Sequence, residues 1–107
     1  MKHMRMAIAL GIAVMLAGCA GPRVTTADVR VVPGPTAGQQ RVQATLTNRG
    51  GDGEVKANVR LHSSATDRIY VATRTVAMKG HDRVELVVDV AAPPGAYRPE
   101  VEIEFPP

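Results

Sequence analysis

The chain has one thiol, Cys19, and a thiol is the strongest nucleophile among its side chains for taking up an alkyl or acyl group. Standing alone, it cannot form a disulfide within the chain. Its readings are an attachment point, a reactive thiol or a buried apolar residue. Other chemistry-bearing residues are sparse. His62 and His81, joined by Asp67 or Asp82, offer nitrogen and oxygen donors to a metal, yet their spacing matches no tetrahedral site. Asn48, Asp52 and Glu54 lie among glycines but lack the alternating oxygen ligands of an EF-hand. Ser63-Ser64 lacks the strand-turn-helix setting of a nucleophile elbow. Neither a Lys-Ser/Thr pair nor a helix follows Gly50-Gly51-Asp52-Gly53, as phosphate binding would require, so this stretch reads as a hairpin turn. No catalytic residue, metal or cofactor is implied, and the chain reads as a non-enzyme.

Cys19 also ends an apolar run. Lys2 and Arg5 form a positive n-region, residues 6–18 a short h-region, and Ala17 and Gly18 are small enough for a peptidase to cut after them. A spanning helix needs about 20 apolar residues to cross about 30 Å of hydrocarbon, and this run falls short. The pattern predicts a helical signal peptide over residues 1–18, cleaved between Gly18 and Cys19. Leu16-Ala17-Gly18-Cys19 resembles the lipobox of bacterial lipoproteins, whose cysteine is linked to diacylglycerol before cleavage and N-acylated afterwards. The resemblance is confined to the N-terminal residues. It implies that Cys19 becomes the acylated first residue of the mature chain, with membrane lipid as its partner. Two or three acyl chains anchor durably where one is marginal. Ala20, where an aspartate would retain the protein at the inner membrane, implies the outer membrane with the domain facing the periplasm.

Removal of residues 1–18 leaves 89 of 107 residues, enough for one domain with a modest core. Lys2 and Arg5 leave with the signal, so the formal charge falls from +3 to +1. The basic balance of the full chain therefore implies no nucleic-acid partner. Met1, Met4, Met6 and Met15 leave as well, and only Met78 remains available to a core. Residues 19–26 read as the acylated N-terminus and a short tether, and residues 27–107 as the folded domain.

Period-two alternation dominates that domain. Val29 and Val31 open a first strand, ended by Pro33-Gly34-Pro35. Val42, Ala44 and Leu46 alternate with Arg41, Gln43, Thr45 and Thr47, as on a strand with one dry and one wet face. After the Asn48–Gly53 turn, Val55, Ala57, Val59 and Leu61 alternate with Glu54, Lys56, Asn58, Arg60 and His62. From Arg68 to Met78 the phase changes: Ile69 and Val71 fall on one parity, Val76 and Met78 on the other, which predicts a bulge or an edge strand that switches sheets. Beyond the Lys79–Asp82 turn, Val84, Leu86, Val88 and Val90 share a face. Tyr97, Val101, Ile103 and Phe105 then oppose Arg98, Glu100, Glu102 and Glu104. Pro99 lacks a donor and belongs at a bulge or on the open side of an edge.

Six or seven short strands without a helix after the signal predict an all-β, antiparallel, immunoglobulin-like β-sandwich, because parallel pairing needs crossovers that the chain has no room for. Asn48-Arg49-Gly50, Val59-Arg60-Leu61, Lys79-Gly80 and Pro94-Gly95-Ala96-Tyr97 occur in the order seen in the immunoglobulin-like domain called CARDB, a bacterial cell-adhesion-related module. The resemblance covers residues 27–105, and it implies display and binding with no catalytic residues.

Charge is segregated by strand. Arg41 or Lys56 with Arg60 face the glutamates of the last strand, as cross-strand ion pairs or as a partner surface. Val87 falls on the outward parity, either as a harmless exposed residue or as part of an interface. Together these features predict a lipid-anchored, non-catalytic module of the bacterial envelope that binds a protein or another envelope component. The alternative is a structural tethering lipoprotein of a larger secretion or pilus-type complex.

Overall fold

The computed structural model describes residues 21–105. The signal peptide, the cleavage site Gly18–Cys19 and the lipidation site Cys19 lie outside the described residues. Six strands follow in order: β1 (Val24–Pro33), β2 (Gln39–Asn48), β3 (Gly53–Ser63), β4 (Ile69–Met78), β5 (Arg83–Ala91) and β6 (Tyr97–Glu104). They form two antiparallel three-stranded sheets, ordered β1-β2-β5 and β4-β3-β6. The β1–β2 and β3–β4 links are hairpins within a sheet, whereas β2–β3, β4–β5 and β5–β6 cross between sheets. Two antiparallel sheets with a shared apolar core between them make a β-sandwich, as the alternation predicts.

The core lies where the alternating faces meet. Val42, Ala44 and Leu46 of β2 are fully buried against Val55, Ala57, Val59 and Leu61 of β3, with Leu86, Val88 and Val90 of β5 and Met78 of β4 closing the layer. Each buried valine or leucine contributes about 1.5–3 kcal/mol of transfer free energy. The aromatics sit at the rim: Tyr70 and Tyr97 meet edge to face at 5.9 Å. The Tyr97 hydroxyl donates to the Pro93 carbonyl at the entry to β6, as in the tyrosine corner of immunoglobulin-like folds.

Four expectations require correction. First, the domain does not begin at residue 27: β1 starts at Val24, and Gly21 is already hydrogen-bonded to the β2–β3 turn. The part of the expected tether from Gly21 to Thr26 is thus folded. Its polar Thr25-Thr26 step hides the strand from a search for apolar alternation.

Second, the bulge lies in β1 and not in the Arg68–Met78 segment. The β1–β2 register shifts between Ala27 and Arg30, where Asp28 adopts φ 55°. One extra residue there moves the inward parity from Val24 to Val29 and Val31.

Third, β4 pairs with β3 without a break from Ile69 to Met78. Its inward residues are Tyr70, Ala72, Val76 and Met78, and the apparent phase change arises because Ile69 and Val71 point outward. Fourth, Gly50–Gly53 is not a hairpin turn, because β2 and β3 belong to different sheets.

Candidate functional site

One end of the sandwich is closed by a polar clasp built on Asn48, the last residue of β2 and fully buried. Its Oδ1 accepts from the N–H groups of Arg23 at 3.0 Å and Gly50 at 2.9 Å. Its Nδ2 donates to the carbonyls of Gly51 and Lys79, both at 2.9 Å. The Asn48 N–H donates to the Asp82 carbonyl at 2.8 Å. All the capacity of the side-chain amide is used, which is the condition for burying it without penalty.

The N-terminal segment is zipped to the same turn. Gly51 N–H donates to the Gly21 carbonyl at 2.7 Å, and Arg49 N–H to the Arg23 carbonyl at 2.8 Å. A Cβ on Gly50 would run into the backbone of Gly21 and Arg23, so this close approach requires glycine. Asp52 completes the turn by accepting from Gly80 N–H at 2.7 Å. Asn48, Asp52 and Glu54 therefore do not form an ion-binding loop: the first two hold backbone and Glu54 is exposed on β3.

The outer face of the β4-β3-β6 sheet carries the charge segregation. His62 Nε2 meets Glu100 Oε1 at 2.8 Å, Arg60 meets Glu102 at 3.5 Å and Lys56 meets Glu104 at 3.8 Å. On the other sheet Arg41 forks onto both oxygens of Asp89 at 2.8 and 3.2 Å. The hydrogen bond from Arg41 lowers the Asp89 carboxyl and raises the guanidinium in turn. His62, seconded by Arg60 and Arg98, lowers the Glu100 carboxyl. Partial desolvation and the neighbouring Tyr70 push the Tyr97 phenol upward. These are cross-strand pairs on solvated faces.

The edges differ. Ser63 N–H donates to the Arg68 carbonyl at 3.0 Å, which sets the alternation of the β3–β4 ladder. Tyr70, Ala72, Arg74 and Val76 then bond to β3, and Ile69, Val71, Thr73, Thr75 and Ala77 turn their N–H and C=O groups away from it. Ile69 and Val71 are also 50% and 59% exposed, the most exposed large apolar side chains among the described residues. No proline interrupts this edge, and its single charge, Arg74, reaches across to the Val87 carbonyl of β5. Val87 is half-buried. On β6, the bond from Ser64 N–H to Ala96 C=O places Pro99 with its donorless nitrogen on the open side. Proline thus blunts β6, and β4 has no such guard.

The remaining candidates are scattered. His62 is near the far end of β3 and His81 is in the β4–β5 turn at the clasp end, about nine strand residues or roughly 30 Å apart. Among the described residues no three His, Cys, Asp or Glu side chains come together. Asp67 is exposed in the β3–β4 hairpin and Asp82 lies beside His81 in the clasp turn. Ser63 Oγ accepts from the N–H groups of Ala65 and Thr66 at 3.2 Å and serves the hairpin, while Ser64 is exposed beside it. At the far end an open cleft of about 430 Å³ is lined by Pro33, Gly34, Pro35, Gln40, Pro94 and Gly95, without an ionisable group.

Comparison with family models, with curated proteins and with solved structures finds no match for this chain.

Proposed function

We propose that the protein is a lipid-anchored module of the bacterial envelope that holds an extended segment of another envelope protein and performs no chemistry of its own. The observation that carries this reading is the β4 edge, where exposed Ile69 and Val71 flank unpaired backbone with no proline or outward charge. Soluble proteins guard such edges, and a strand added here would satisfy the free N–H and C=O groups while covering both apolar side chains. Recognition would combine backbone pairing with an alternating apolar pattern in the incoming segment. In this reading acylated Cys19 supplies residence at the outer membrane and the sandwich supplies a rigid frame.

The test is photo-crosslinking in native membranes, with the reactive residue placed at Thr73 on the β4 edge and, as control, at Thr36 in the far loop. A discrete protein adduct from position 73 alone is the expected result. Absence of an adduct there, or the same adducts from both positions, sinks the proposal.

A further inference from the structure

We infer that the clasp end of the sandwich is itself a membrane-contacting surface, which sits on anionic phospholipid headgroups. The inference deepens the anchoring part of the proposed function and rests on it. Its first support is how close in sequence Cys19 stands to the clasp. Gly21 is bonded to Gly51 and Arg23 to Asn48 and Arg49, so in sequence no more than one residue, Ala20, lies between Cys19 and backbone that is bonded to the sandwich. Two fully extended residue steps span about 7 Å. A lipid-bearing Cys19 therefore holds this end at the depth of the headgroups, with no slack for the domain to lift away.

The second support is charge. The clasp end presents the exposed side chains of Arg23, Arg49, Lys79 and Arg83. Against these four cations stand Asp52, Asp82 and Glu54 at the start of β3, which leaves this end net positive by one, and Asp52 is already committed to the Gly80 N–H. The opposite end is built from Pro33–Gly38, Ser64–Arg68 and Ala92–Ala96, where Asp67 and Arg68 are the only charges and balance each other. Cations near an anionic leaflet each strengthen association about fivefold, and the effect fades within a Debye length. Only the end tied to Cys19 lies within that range.

The third support is Phe105. It follows Glu104, the register partner of Lys56, and so lies toward the clasp end with 46% of its surface exposed. An exposed apolar ring at this end can bury itself at the boundary between headgroups and acyl chains, as phenylalanine does on interfacial helices.

The side chains of Arg49 and Lys79 take no part in the clasp, which uses their backbone. They can therefore be reversed in charge without undoing it. The experiment uses the acylated full protein in vesicles of phosphatidylcholine, with or without phosphatidylglycerol. A fluorophore is placed on Gly51→Cys or on Thr36→Cys, and a quencher is carried on the headgroups. Quenching at position 51 should exceed that at position 36 severalfold, and more so with phosphatidylglycerol present. Arg49→Glu with Lys79→Glu should abolish the lipid dependence while the protein still floats with the vesicles. Flotation with equal quenching at both positions, or with no response to charge reversal, overturns the inference and leaves the anchor standing. Failure to float overturns both.

Discussion

At the scale of single residues, Asn48 shows how a polar side chain becomes structural. It joins the N-terminal segment, the β2–β3 turn and the β4–β5 turn through hydrogen bonds to Arg23, Gly50, Gly51 and Lys79. Asn48→Ala leaves several buried partners unsatisfied and should cost about 3 kcal/mol, read as a lowered urea midpoint. Asn48→Asp should also destabilise, since it loses both donors and buries a charge beside two carbonyls. Paired carboxylates make the second prediction. The Asp89 and Glu100 carboxyls are held below their ordinary range by Arg41 and His62. Their contribution to stability is complete above the unfolded carboxylate value, near pH 4, and is lost as pH falls through their lowered values. Asp89→Asn with Glu100→Gln should therefore lower stability slightly at neutral pH, converge with the parent protein in acid and so flatten the acid limb, measured by thermal melts from pH 7 downward.

At the scale of elements, β3 and β4 pair residue for residue and carry opposite obligations. Leu61 of β3 is fully buried, so Leu61→Ala should cost about 3 kcal/mol. Val71 of β4 is 59% exposed, so Val71→Lys should change stability by less than about 0.5 kcal/mol. The same substitution should nevertheless abolish crosslinking from Thr73, because a charge on an open edge discourages strand addition. Loss of folding in Val71→Lys would show that this side chain serves the monomer and not a partner. Alternation made β3 plain in the sequence, because every second residue is a core aliphatic. It misled at β4, where Ile69 and Val71 look like core residues and only pairing with His62 and Arg60 reveals their outward direction. Pro99 was legible because a missing donor restricts it to few positions, and it sits on the open side of β6.

At the scale of the whole molecule, the fold runs from one charged, tightly bonded end to one nearly uncharged end rich in proline and glycine. The anchoring reading predicts that Cys19→Ser shifts the protein from the membrane fraction to the soluble envelope fraction. Its melting temperature should stay unchanged, because the bonds that hold the N-terminal segment to the sandwich are made by Gly21 and Arg23. Membrane retention of that variant would contradict acylation as the anchor. The clasp also explains why the domain boundary was misplaced: segment 21–23 is held by turns that lie 25 or more residues away in the chain, and such contacts leave no local periodicity.

The sequence by itself determined the antiparallel sandwich class and most of the core, because period two and turn chemistry are local properties written into neighbouring residues. Tertiary structure alone decided which polar residues are buried, which aliphatic residues are exposed, and which edge is left open. Those outcomes depend on register and on contacts between distant segments. The burial of Asn48 and the exposure of Ile69 and Val71 follow from who their neighbours are in space.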